Sequence, residues 1–246
     1  MKIESIRLKN YKAFQDITME EIPHFAVIVG ANGTGKSTLF DLFGFLKDCL
    51  MYNVSRALQS RGGFHEVISR GYEDENIVIE IKFRLEITGV ERLVTYILEI
   101  RCQDNKPFVN REILRYKRGS YGSPYHFLDF KRGEGFAINN EQDFKEKDEE
   151  LTREYQTLDS EDTLAIKGVG QFKRFKGANA FRQLIENWHV SDFHINLARG
   201  SKDVTSYNDD HLSVNGENLQ LVANNIYLNY PDRFKTIIEH MKMRVP

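Results

Sequence analysis

Two hydrophobic periods divide the chain. Over Ile77-Val-Ile-Glu-Ile-Lys-Phe-Arg-Leu-Glu-Ile87 apolar and polar residues alternate, the period of a half-buried strand. Leu93–Ile100 repeats the alternation after a turn at Gly89, which predicts an antiparallel hairpin with one buried face. Phe108–Tyr116 and Tyr125–Phe130 extend that sheet, which is expected to end at Gly133-Glu-Gly135. Upstream, Lys2–Leu8 and Phe14–Glu20 predict a second hairpin about a turn at Asn10–Phe14. Phe25-Ala-Val-Ile-Val29 is an unbroken apolar run and predicts a buried strand. The period then lengthens: Leu39, Leu42, Phe43 and Leu46 place one apolar face on a helix over Lys36–Leu50. Helical character continues through Met51–Arg61 and stops at Gly62-Gly63.

Downstream, Asn139–Glu154 is densely charged and predicts a solvated connector. Ala178–Val190 turns Phe181, Leu184, Ile185 and Trp188 to one helical face. Ser191–Ala198 alternates as a strand, with His194 on its exposed side, and Asn215-Gly216 marks a turn. Glu217–Tyr230 predicts a helix, and Pro231 opens another with Phe234, Ile237, Ile238 and Met241 as a buried stripe. The organisation expected is α/β: a phosphate-loop core over 1–61, an antiparallel sheet over 72–132, a charged and helical insert over 133–190, and a return strand with helices over 191–246.

Composition narrows the function classes. With 246 residues, 41% of them hydrophobic, the chain can bury one large core. Its 34 basic and 36 acidic residues give a formal charge of -2, so no global field draws it to nucleic acid. One stretch is locally different. Lys167, Lys173, Arg174 and Lys176 interleave with Phe172 and Phe175, a pattern that suits either a phosphate-gripping, base-stacking surface or a loop anchored by its phenylalanines. Only Cys49 and Cys102 are present, as expected of a reducing compartment rather than a disulfide framework. No apolar run reaches the roughly 20 residues that span a bilayer, and no signal-peptide pattern opens the chain, so a cytoplasmic location without membrane contact is expected.

The chemistry sits between the apolar run and the first helix. Gly30-Ala-Asn-Gly-Thr-Gly-Lys-Ser37 fits G-x-x-x-x-G-K-[ST]. Its glycines let the backbone curl until successive N–H groups converge on phosphate oxygens. The following helix adds free N-terminal donors and the positive end of its dipole. Gly30, Ala31, Asn32, Gly33, Thr34, Gly35, Lys36, Ser37 and Thr38 are thus the expected site for a nucleoside triphosphate. Lys36 is the expected catalytic charge on the β/γ-phosphates, and the Ser37 hydroxyl a ligand of Mg2+. His65 reads as a surface or capping histidine.

The hairpin ahead of the loop sets the chain apart from small kinases and GTPases, and neither a guanine-reading Asn-Lys-x-Asp nor a lid-type arginine cluster is present. Leu8-Lys-Asn-Tyr-Lys-Ala-Phe14 combined with Gly30–Thr38 resembles the ATP-binding heads of the SMC/RecF branch of the ABC ATPases, including AAA-type bacterial ATPases related to RecF. That resemblance implies a P-loop NTPase fold of the ABC-head kind: an N-terminal hairpin, a P-loop strand and helix, an added antiparallel sheet and C-terminal helices. It implies ATP as the nucleotide, with Lys9, Asn10 and Lys12 near the base, ribose or α-phosphate and Asn32 in the loop arch. It further implies an ATP-dependent homodimer acting on DNA, or through a nuclease or other effector, in DNA repair or phage defence.

Parts of that machinery have no counterpart in the sequence. Ile77-Val-Ile-Glu80 is apolar then acidic but lies within an alternating strand, and Phe127-Leu-Asp129 is too short for a Walker B strand. No signature-like Ser-Gly-Gly occurs, and Gln59, Gln103, Gln171 and Gln220 have nothing to mark one as a glutamine loop. No sustained heptads predict a coiled-coil arm. The expectation is the N-terminal part of a longer ATPase, or a degenerate copy, that binds ATP without completing hydrolysis alone. A nucleotide-binding module without turnover is the alternative.

Overall fold

The alternating segments meet in one sheet. In the computed structural model, which describes residues 2–87, 89–117, 123–139, 151–188, 212–213 and 216–244, the strands are β1 (Lys2–Tyr11), β2 (Phe14–Met19), β3 (Ile77–Ile87), β4 (Val90–Gln103), β5 (Lys106–Tyr116), β6 (Tyr125–Lys131), β7 (Glu134–Ile138) and β8 (Arg153–Thr157). Their order is β2-β1-β3-β4-β5-β6-β7-β8, with every pairing antiparallel. The β4–β5 connection is a two-residue turn, Asp104-Asn105, with φ of 51° and 59°. Asp and Asn tolerate this left-handed backbone, whose twist matches that of the flanking strands. The sheet does not end near Gly133. Arg132-Gly133 is a tight turn into β7, and two further strands follow.

Between β2 and β3 the chain forms α1 (Lys36–Met51), α2 (Val54–Gln59) and α3 (Phe64–Val67). The helical stretch after Met51 is broken at Asn53, whose side chain accepts from the Arg56 N–H and caps α2. After the sheet come α4 (Ala165–Val169) and α5 (Lys176–Glu186). The apolar strand face (Leu8, Ile79, Ile81, Phe83, Tyr96, Leu98, Leu114) and the apolar sides of these helices join in one core. Phe181 of α5 lies against Tyr96 and Phe83, with ring centroids 4.2 Å and 5.0 Å apart. Leu42, Phe45, Leu46 and Cys49 bring α1 into the same core.

One buried acid ties these layers together. Glu112 of β5 is fully buried and accepts from the Ala165 N–H at 2.5 Å, the Ile166 N–H at 3.2 Å and the Tyr96 hydroxyl at 3.0 Å. It thereby caps α4, which has no cap of its own. Burial pushes its pKa up to about 7, although all three donors favour the ionised form. From the other side, the Lys167 ammonium donates to the Tyr52 and Met51 carbonyls at 2.5 Å and 3.2 Å, closing the C-terminal end of α1.

The expected strand at Phe25–Val29 does not form. Among the described residues the segment has no ladder partner, and Phe25, Val27 and Val29 are 82%, 70% and 84% exposed. An apolar run signals a preference for a buried strand but does not supply a neighbour to pair with. Here β1 is already flanked by β2 and β3, so the hairpin leaves no slot beside it.

The contacts divide the chain into Met1–Trp188, described so far, and His189–Pro246. Within the second unit, α6 (Leu219–Asn229) and α7 (Pro231–Arg244) are joined by an edge contact between Tyr227 and Phe234, 5.3 Å between centroids. The stripe expected to be buried on α7 is not: Ile237 and Met241 are 43% and 56% exposed. Helical period identifies the apolar face without identifying what covers it. The expected strand Ser191–Ala198 with His194, the bulk of the charged connector (140–150) and Asn215 lie outside the described residues.

Candidate nucleotide site

The phosphate loop runs from an extended segment into α1 with the backbone its glycines allow. Gly33 and Gly35 have φ of +85° and +91°, the left-handed region that side chains resist. Gly35 is also where the loop meets the hairpin. A Cβ there would lie 2.6 Å from two ring carbons of Phe14, so only a hydrogen fits. Gly35 stands at the N-cap of α1 without a side-chain cap, and no acid occupies the first turn. The N-terminal donors of α1 and the positive end of its dipole are therefore left for an anion. Lys36 folds back, its ammonium donating to the Gly30 and Ala31 carbonyls at 2.8 Å and 2.6 Å. The Thr34 hydroxyl donates to the Ala31 carbonyl at 2.9 Å, bracing the arch that holds Asn32.

The hairpin turn is fixed from three sides. Asn10 and Lys12 have φ of 55° and 50°, a costly backbone for residues with side chains. The Ser69 hydroxyl donates to the Lys12 and Phe14 carbonyls at 2.9 Å and 3.1 Å, and the Lys12 N–H donates to the Val67 carbonyl at 2.6 Å. The Asn10 amide donates to Asn76 O at 3.0 Å and Glu75 Oε2 at 3.2 Å, while its Oδ1 is buried without a partner. Lys9 is held by Glu75 at 2.8 Å. Lys12 reaches α1, where its ammonium lies 2.6 Å from Asp41 Oδ2. The structure thus sets Lys12 and Phe14 against the loop and its helix, and commits Lys9 to Glu75.

Sequence reasoning missed Asp41, Arg61, Ser69 and Glu75. Asp41 had one available signal, an acid four residues beyond Ser37 on the helix face that follows the loop. Neither acid considered for the magnesium side is free: Glu80 pairs with Lys82 at 3.3 Å, and Asp129 takes both arms of Arg111 and the His126 ring. Among the described residues no group of three or more His, Cys, Asp or Glu is arranged to hold a metal. The side chain of the loop that would fit Mg2+ is the Ser37 hydroxyl, an oxygen donor at the first turn of α1.

A cleft of about 630 Å³ lies elsewhere, between the β4–β5 turn and the segment Ser160–Asp162. Arg132 beside it is already paired with Glu161 and laid over Phe108. The loop, unlike this cleft, leads into a helix N-terminus with no side-chain cap and no acid in its first turn.

Residues 1–243 match the model of the AAA ATPase domain. The chain is 23% identical over 149 residues to the DNA replication and repair protein RecF of two strains of Lactococcus lactis subsp. cremoris, MG1363 and SK11. The match takes in 56% of this chain and 40% of the relatives, so it spans well under half of their length. A solved chain from work on ATP-driven dimerization and DNA-stimulated activation of SMC ATPases aligns at a TM-score of 0.34 and 20% identity, over 51% of this chain and 72% of that one.

Proposed function

The chain belongs to the AAA ATPase domain family, and on that premise we propose that Gly30–Thr38 binds ATP with magnesium. The observation carrying this is the uncapped, acid-free N-terminus of α1 entered through two left-handed glycines. Its N–H groups would receive the β- and γ-phosphates. Lys36 would exchange the Gly30 and Ala31 carbonyls for phosphate oxygens, and Ser37 would hold Mg2+, which neutralises charge on the phosphates when bound. Asn10 and Lys12, with Lys9 at the margin, would face the base, ribose or α-phosphate.

Hydrolysis by the complete protein follows from the same proposal, with the water-orienting acid supplied by residues other than Glu80 and Asp129. The reading of a binding module without turnover keeps a specific support: Glu80 and Asp129 are both engaged in ion pairs on the sheet. The RecF likeness favours a role in DNA transactions, in repair or defence, carried out in the cytoplasm by an ATP-joined homodimer on DNA or an effector. No described helix is long and apolar enough to cross a membrane. Lys36→Ala tests the site. Removing one charge-assisted contact of this kind costs about 1.5–3 kcal/mol, so retention of labelled ATP should fall by roughly 10- to 100-fold. Undiminished retention would sink the assignment.

A further inference from the structure

Resting on that nucleotide site, we infer that Asp41 is the residue that positions Lys12 for the nucleotide. Three donors converge on its half-buried carboxylate: the Lys12 ammonium at 2.6 Å, the Tyr11 hydroxyl at 2.8 Å and Arg61 Nε at 2.9 Å. Burial alone would raise the pKa of Asp41, but Lys12, Arg61 and Tyr11 outweigh it and keep the group ionised. Arg61 is itself immobilised. It donates to Asp48 at 2.7 Å and to the Ala57 carbonyl at 2.8 Å, and lies over the Phe45 ring. The chain of contacts runs from the core through Arg61 and Asp41 to the Lys12 ammonium.

Asp41 stands four residues after Ser37, one turn farther along the same face of α1, directly behind the phosphate loop. It therefore fixes Lys12 relative to the loop rather than merely to its own hairpin. An unheld lysine gives up about 2 kcal/mol of rotamer freedom on binding, and a held one gives up less. An ammonium has three donors. Asp41 takes one and leaves two for the ribose, base or α-phosphate end of the nucleotide.

Calorimetry on the whole chain separates this role from a structural one. Pyrophosphate with magnesium fills only the part of the site made by the loop, whereas MgATP also reaches Lys12. Asp41→Asn should weaken MgATP about tenfold and leave pyrophosphate unchanged, with Asp41→Glu recovering most of the loss. Asp16→Asn breaks the exposed Arg7–Asp16 pair on the same hairpin without touching Lys12, Asp41 or Arg61, and should leave both affinities unchanged. Lys12→Gln should reproduce the ATP loss, and combining it with Asp41→Asn should add nothing. Equal losses of ATP and pyrophosphate, unchanged or tighter ATP binding by Asp41→Asn, or additive losses in the double variant would each overturn the inference. A wild-type chain that binds neither ligand, or Lys36→Ala that binds as wild type does, would instead overturn the site on which it rests.

Discussion

Gly35 answers two demands at one position, a left-handed φ of +91° and a surface bare enough for the Phe14 ring. Glu112 is the other residue whose environment makes a measurable demand. Its folded pKa, about 7, lies above its ordinary 4.5, so the folded state binds the proton more tightly. The stability this contributes is complete below pH 4.5 and is lost as pH rises toward 7. Against Glu112→Gln, which stays neutral throughout, the wild type should lose about 2–3 kcal/mol between pH 5 and 8 in urea unfolding. A difference between the two proteins that does not change with pH would contradict this. At this scale the loop was legible because G-x-x-x-x-G-K-[ST] is local in sequence. Asp41 was not, since its meaning comes from Tyr11, 30 positions away, and from Lys12 and Arg61.

Among the elements, β3 needed nothing beyond its period. Ile77–Ile87 was read with its bounds and its buried face, because a strand packed on one side must alternate. The Phe25–Val29 segment shows the opposite case. Its hydrophobicity is real, but a strand is a relation between two segments, and no partner lies beside it among the described residues. The helix α5 was legible as an amphipathic element, though it ends at Glu186 rather than Val190. It is fastened by Phe181, 1% exposed between Tyr96 and Phe83. Phe181→Ala should cost roughly 3–5 kcal/mol in urea unfolding, the loss of transfer energy plus an unfilled cavity. Phe172→Ala, at a residue 57% exposed, should stay within about 0.5 kcal/mol. Similar effects from the two would mean that the core does not run through α5.

For the molecule as a whole, the phosphate loop is built onto the end of a helix that is held at both of its ends. Phe14 and Asp41 join the hairpin to its start, and Lys167 closes its last turn. Glu112 and Arg61 connect those fastenings to the sheet and core. That frame lets Gly30–Thr34 remain exposed while the residues behind the loop are fixed. In the proposed site the loop amides themselves receive the phosphates. Hydrogen exchange on the whole chain, with and without MgATP, tests it most directly. The amides of Gly33–Thr38 should slow on adding MgATP, and should slow far less in Lys36→Ala at the same sub-saturating MgATP concentration. ATP binding that leaves those amides unprotected, while protecting amides elsewhere, would contradict it.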